Sequence, residues 1–409
     1  MDEIIRLYEK KQDCCGCGTC VVSCPVQAVS MIEQEVGCLY PQVDYDKCIQ
    51  CGKCKQVCAF QRDSVVKKTQ DFTYAAMAEE KALLKISASG GVFATIARNV
   101  LKLHGVVFGC SMEYQNGKLV PMHIGVYKEE DLHRLQGSKY VQSFLNDVFL
   151  EVKRALQDKR IVLFSGTPCQ VDALNQYLEK EDKSSLYTMD IICHGVPGAK
   201  FFQDYIESIE KKTKKKIPAF YFRDKTWGWG LNAKCVLVDK KGKKTEKNLS
   251  PDISSYYSLF LESETYRQSC YSCKYADAER KSDVTIGDYW CMEKEHPEYM
   301  VERGGPLSVE AGVSCVLVNT QKGEELFEFY AEGLNLQPSE YVKVAKWNQQ
   351  LVSPSIHTEK REKIIHLYKK YGYKGVEKMF RKSIGIKYYV RVLRNRRRKC
   401  RKVRGTGIF

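Results

Sequence analysis

The chain has 409 residues, 44% of them hydrophobic, and a formal charge of +15; it is too long for one ordinary domain and apolar enough to bury a good core. Thirteen Lys and Arg follow Glu377 with no acid among them, and taking these from +15 leaves about +2 for the rest, which argues for a basic tail and against a nucleic-acid-binding face. No apolar run approaches the ~18 residues of a membrane span, and the charged start lacks the apolar stretch of a signal peptide, so the expected location is cytoplasmic. In that reducing compartment nineteen cysteines are expected to bind metal and not to form disulfides.

Residues 1–62 hold two Cys blocks. The first is Cys14-x-x-Cys17-x-x-Cys20-x-x-x-Cys24-Pro25, and the second is Cys48-x-x-Cys51-x-x-Cys54-x-x-x-Cys58-Ala59. Both have the spacing of a bacterial two-cluster ferredoxin, in which three close thiolates wrap one cubane and the fourth Cys ligates the other. Cys14, Cys17, Cys20 and Cys58 are therefore assigned to one 4Fe–4S cluster, and Cys48, Cys51, Cys54 and Cys24 to a second. Gly16, Gly18 and Gly52 suit a backbone lying close to an inorganic core. The competing reading is zinc, which takes four ligands, usually as Cys-x-x-Cys pairs; two complete blocks weigh against it. Cys15 and Cys38 fall outside the pattern and read as bystanders.

Residues 63–74 read as a polar linker. From about Ala75 helical and strand patterns alternate. Val92–Leu103, Asp147–Gln157 and Phe201–Lys211 are predicted helices. Val106–Phe108, Ile161–Phe164, Met189–Cys193 and Val313–Val318 are predicted strands, and Lys234–Lys247 a hairpin. The expected fold is thus α+β or α/β, a ferredoxin-like domain followed by a large mixed α/β domain. Ser89, Gly90 and Gly91 open the first helix with small residues and could present backbone N–H groups to a phosphate, or simply start a helix. Gly137, Ser138, Lys139 and Tyr140 offer a cation and hydroxyls for a pyrophosphate, or a solvated loop. Cys169 and Cys193 each directly follow a predicted strand, where α/β folds place their chemistry. With the Cys270-x-x-Cys273 pair they could converge on a third cluster, or serve as buried core residues. Cys110, Cys235, Cys291, Cys315 and Cys400 have no such context. No G-x-G-x-x-G follows a strand, so a nicotinamide site is not supported. The tail, with Arg394, Arg396, Arg397, Arg398, Lys399, Arg401, Lys402 and Arg404, reads as a solvated run. Its functional alternatives are contact with anionic lipid at the inner membrane face and an acidic protein partner.

Six short stretches stand in a recognisable order: Ser87–Gly91, Gln136–Tyr140, Gly166–Gln170, Ile192–Pro197, Cys270–Ala276 and Ser282–Trp290. With the ferredoxin blocks they resemble the coenzyme F-420 hydrogenase/dehydrogenase beta-subunit family, in the form with an N-terminal 4Fe–4S ferredoxin domain. The resemblance implies that residues 75–350 form a FAD-binding domain; residues 351–409 read as a helical, basic tail. It implies a third 4Fe–4S cluster on Cys169, Cys193, Cys270 and Cys273. It also implies that Ser89–Gly91 and Gly137–Tyr140 contact FAD, with Gly166, Thr167, Pro168, His194 and Asp288 near the flavin. His194 is the candidate catalytic residue by position alone. The implied activity is a flavin- and iron–sulfur-dependent oxidoreductase that exchanges electrons with a redox partner protein or ferredoxin and acts on a small two-electron substrate. The alternative is an electron-transfer subunit that docks a separate catalytic partner.

Overall fold

The computed structural model describes residues 5–62, 72–226, 228–387 and 390–391. The expected linker lies mostly outside them, and its last residues already belong to a strand that begins at Phe72. The basic run from Arg394 onward also lies outside them.

The two Cys blocks build a small ferredoxin-like domain. Each block continues into a single helical turn, α1 (Thr19–Val22) and α2 (Lys53–Gln56). Between the blocks β1 (Val29–Glu33) and β2 (Leu39–Val43) form an antiparallel hairpin, from Val29 opposite Val43 to Glu33 opposite Leu39.

The rest is organised by an eight-stranded mixed sheet. Its strands are β3 (Phe72–Ala78), β4 (Val106–Gln115), β5 (Lys118–Val126), β6 (Val162–Gly166), β7 (Leu186–Ile191), β11 (Val284–Asp288), β12 (Ser314–Val318) and β13 (Leu334–Ser339). A separate antiparallel sheet holds β8 (Lys216–Tyr221), β9 (Lys234–Val238) and β10 (Lys244–Asn248). The large sheet runs β13-β3-β12-β11-β7-β6-β4-β5, and β4, β6, β7 and β11 are parallel. The parallel centre explains the continuous apolar runs, because helices cover both of its faces. After β3 a short helix, α3 (Lys81–Ile86), leads through Ser87–Gly91 into α4 (Val92–Lys102). Val107 and Leu163 point to one face of the sheet and pack with Val92, Ile96 and Val100 of α4. Val106, Phe108, Val162 and Phe164 point to the other. There they meet Phe149 and Val152 of α5 (Val148–Gln157) and Val171 and Leu174 of α6 (Pro168–Tyr177). This alternation is the period-two geometry of a strand.

A third core is aromatic. Phe201, Phe202 and Tyr205 of a helix spanning Ala199–Thr213 pack against Phe220, Phe222 and Tyr256, with Phe202 5.1 Å from Tyr256 and 5.4 Å from Phe220 between ring centroids. The C-terminal helices Glu359–Tyr371 and Tyr373–Ile384 bury Ile364, Ile365, Tyr373 and Val376 in this core, and Phe380 is buried as well. Residues 359–380 are therefore part of the packed body, whereas the sequence suggested that the tail begins at 351. Their apolar residues are too sparse among the lysines to stand out without the partners they pack on.

The ferredoxin-like domain is closely seated on helices and loops of the large domain. A Cβ on Gly198 would lie 2.3 Å from the Gly37 carbonyl carbon, and one on Gly37 would lie 2.4 Å from the Lys200 Cβ. Lys274 Nζ reaches across to the carbonyls of Ala59 (2.7 Å) and Arg62 (2.6 Å). Gly198→Ala is expected to cost about 1–3 kcal/mol through overpacking. It should also speed hydrogen–deuterium exchange at Val36–Cys38 more than in the β6–β7 core; unchanged exchange at 36–38 would contradict this contact.

Candidate iron–sulfur and cofactor site

The parallel strands deliver the site residues. Beyond the end of β6 the chain turns at Thr167 into α6, whose first residues are Pro168 and Cys169. Beyond β7 come Ile192, Cys193 and His194; β11 ends at Asp288. Cys270 and Cys273 lie on and just after the helical turn Gln268–Ser272. Four segments distant in sequence thus bring Cys169, Cys193, Cys270 and Cys273 to one wall of a cavity of about 480 Å³, a size typical of small-molecule sites.

These four thiols face one another. Burial raises the Cys193 pKa, and the facing Cys169 and Cys273 raise it further. Burial and then Cys193, Cys273 and Cys169 act in the same sense on Cys270. Burial followed by Cys169 pushes Cys273 up to about 11. Three buried thiols pushed up beside Cys169 suit a metal core, which would replace their protons with positive charge. Among the described residues no three His, Cys, Asp or Glu side chains converge on a single ion.

The N-terminal assignments group in the same way. Burial first, then the charges of Cys17, Cys14 and Cys58, raise Cys20. A second small cavity is lined by Cys24, Cys48, Cys51 and Cys54 together. Cys24 of the first block thus lies beside Cys48, Cys51 and Cys54, and Cys58 of the second lies beside Cys20. Amide N–H groups point at sulfur from Gly16 to Cys14 (3.4 Å) and from Ala28 to Cys24 (3.2 Å).

Cys15 was expected to be a bystander, yet it is buried at the cavity wall beside Cys17 and Cys169. Its thiol hydrogen-bonds with both, lowering the pKa of Cys17 to about 6 and that of Cys169 below its ordinary value. It therefore touches one Cys of the first block and one of the large-sheet group. No spacing signal marks it, because it simply adjoins Cys14.

Two ties hold the Cys270–Cys273 segment. Tyr275 Oη donates to Asp172 Oδ2 of α6 (2.7 Å). Arg280 donates from Nη1 to the Tyr275 carbonyl (2.7 Å) and pairs with buried Asp190 (3.2 Å).

The cavity also brings together most of the predicted cofactor residues: Ser89, Gly91, Gly137–Tyr140, Gly166, Thr167, His194 and Asp288 line it. Gly90 and Pro168 do not. The Gly90 amide donates to Ser314 Oγ (2.9 Å), and Pro168 starts α6. Ser89 Oγ is engaged by the Val313 carbonyl (2.9 Å). The three hydrogens of the Lys139 ammonium serve the carbonyls of Arg134, Leu135 and Gln136 at 2.8–3.2 Å, and its burial lowers its pKa to about 8. Lys139 thus shapes the loop from within. Asp288 is held by Arg223 through two contacts, 2.6 and 3.3 Å. The buried Gln136 Nε2 has no hydrogen-bond partner among the described residues, and α4 presents its first turn, whose N–H groups have no intrahelical acceptor, at the Gly91 end of the cavity.

His123 and Ser143, which the sequence did not single out, lock the turn after β6. Gln170 accepts from the Thr167 amide (2.9 Å) and donates to Ser143 Oγ (3.0 Å). The Ser143 hydroxyl is then left to donate to His123 Nδ1 (2.9 Å), and Nε2–H to donate to the Ser165 carbonyl (3.1 Å). This network needs a neutral imidazole, and burial lowers the His123 pKa from 6.5 to about 4. The unfolded chain takes up the proton as pH falls through 6.5, whereas the folded chain does so only near 4. Stability is therefore lost over that window, by about 1 kcal/mol at pH 5.5. The melting temperature should fall more steeply between pH 7.5 and 5.5 in the native sequence than in His123→Asn; equal slopes would contradict the network.

Comparison with known families agrees with this arrangement. Residues 159–343 match the C terminus of the coenzyme F420 hydrogenase/dehydrogenase beta subunit, and residues 13–61 match a 4Fe–4S dicluster domain. The chain therefore combines a 4Fe–4S dicluster domain with a region similar to the C terminus of the coenzyme F420 hydrogenase/dehydrogenase beta subunit. An uncharacterized protein of Methanocaldococcus jannaschii is 25% identical over 198 residues, 41% of this chain. The match spans about half, 54%, of that relative's length. A chain of the F420-reducing nickel–iron hydrogenase complex from Methanosarcina barkeri superposes with a TM-score of 0.43 at 16% identity, covering 80% of this chain and 97% of that one. No helix among the described residues is long and apolar enough to cross a membrane.

Proposed function

We propose that the chain is a FAD- and iron–sulfur-dependent oxidoreductase that connects a two-electron substrate in the cavity to a protein redox partner or ferredoxin. The observation that carries this reading is the wall shared between the cavity and Cys169, Cys193, Cys270 and Cys273, with Cys15 linking that group to the first ferredoxin block. When bound, FAD supplies two-electron hydride exchange, and the clusters supply one-electron transfer.

The residues present fit a flavin nucleotide. The first turn of α4 and the unpartnered Gln136 Nε2 offer hydrogen-bond donors to an anionic or carbonyl group. Gly137, Ser138 and Tyr140 form the adjoining wall, with the Tyr140 ring stacked on Phe260 at 4.4 Å. Lys139 keeps positive charge nearby while its hydrogens hold the loop. Gly166 and Thr167 border the Cys169 side, and Asp288 presents a carboxylate whose position Arg223 fixes. His194, on the wall beside Cys193, is the residue placed to hold a proton near a bound substrate.

Cys51 of the second block is exposed. That exposure favours a protein partner there. Coenzyme F420 is one member of the substrate class this reading admits, together with other reducible ring compounds.

Purified without oxygen, the protein should contain about twelve irons, about twelve sulfides and about one FAD per chain. About eight irons without flavin would overturn the enzyme reading and leave a relay that docks a separate catalytic protein.

A further inference from the structure

Arg267 is one of the largest fully buried side chains, 1% exposed. Among the described residues no carboxylate pairs with its charge. The guanidinium donates from Nε to the Cys14 carbonyl (2.8 Å) and from Nη1 to the Leu39 carbonyl (2.7 Å) and Gln142 Oε1 (3.2 Å). Nη2 points at the Cys14 sulfur, 3.6 Å away, and the Tyr40 ring lies under the plane at 4.0 Å from its centroid. Every recorded partner is a neutral oxygen, an aromatic face or a thiol. A buried cation without a counter-charge is costly, and such charges are ordinarily paired. The group at hand that can become anionic is the Cys14 thiol with the cluster it would join, since four thiolates outweigh the charge of a four-iron core.

The backbone is built around this contact. A Cβ on Gly16 would lie 2.5 Å from Arg267 Nη1, and Gly16 has a left-handed φ of +69°. The Arg267 amide donates to the Val196 carbonyl (2.8 Å), so the residue is anchored between Cys193 and Cys270. One side chain therefore springs from the large-sheet Cys group and ends on a sulfur of the first ferredoxin block.

We propose that Arg267 is a positioning residue of the electron route: it raises the reduction potential of the Cys14–Cys17–Cys20–Cys58 cluster by donating an N–H to the Cys14 sulfur and supplying a buried positive charge. The physical reason is that reduction adds negative charge to the cluster. A fixed cation and a donor to sulfur therefore stabilise the reduced form more than the oxidised one. The inference rests on the ligand assignment of that cluster, and the test separates the two.

The experiment is an EPR-monitored redox titration of the full chain and of Arg267→Met and Arg267→Lys, with iron and sulfide measured on the same samples. With iron content equal to the native protein, Arg267→Met should shift the midpoint of one cluster to lower potential and leave the others in place. Arg267→Lys, which keeps the charge but lacks the fork, should fall between. Full iron content with all midpoints unchanged would overturn the proposal while leaving the ligand assignment intact. Because Arg267 also anchors the ferredoxin-like domain, Arg267→Met could lose iron. The native protein labelled with nitrogen-15 arginine then decides: pulsed EPR of the reduced clusters should detect a nitrogen-15 coupling, and its absence would overturn the proposal. The ligand assignment fails separately, if Cys14→Ser retains the native iron content and EPR spectrum.

Discussion

Four buried sulfurs can be held together as thiolates only if positive charge sits among them. Cys169, Cys193, Cys270 and Cys273 stand under that constraint in the proposed cluster site. Each is raised or lowered by its sulfur neighbours, and each is delivered by a rigid element: the turn into α6, the end of β7, and a helical turn tied down by Tyr275, Asp172 and Arg280. A mixed sheet with parallel strands at its centre supplies this convergence. Strands aligned in one direction all release their chains at the same edge, and the cavity lies along that edge.

The same constraint shapes the junction with the ferredoxin-like domain. Gly37 and Gly198 let the two backbones touch, and Lys274 clamps the Ala59–Arg62 segment. Cys15 reaches Cys17 on one side and Cys169 on the other. Cys15 and Cys17 thus line the cavity together with the large-sheet thiols, whereas Cys48, Cys51 and Cys54 line a separate small cavity with Cys24. Electron transfer demands short separations between successive centres, and a loosely tethered domain could not maintain them.

Much of this was legible in the sequence. The ferredoxin ligands have strict spacing because one cluster must be wrapped by one short loop. The apolar strands at 106–108 and 161–164 stand out because they are buried on both faces. Other features carry no local mark. β11 reads Val-Thr-Ile-Gly-Asp and β13 Leu-Asn-Leu-Gln-Pro-Ser, too polar to announce themselves as strands, and they are recognisable only through the neighbours they pair with. Cys15 and Arg267 gain meaning from contacts with residues more than a hundred positions away, and His123 from a hydrogen-bond chain through Ser143 and Gln170. Lys139 shows the opposite case. Its position beside Ser138 suggested a phosphate ligand, while the fold engages its ammonium with three backbone carbonyls.

The central claim is that the large sheet carries a cluster of its own in contact with the ferredoxin-like domain. EPR of the fully reduced chain, compared with Cys193→Ser, tests it most directly. The account predicts that the variant loses about one spin per chain together with the broadening caused by magnetic interaction between neighbouring clusters, while the ferredoxin signals persist. Identical spectra and spin counts in the two proteins would contradict it.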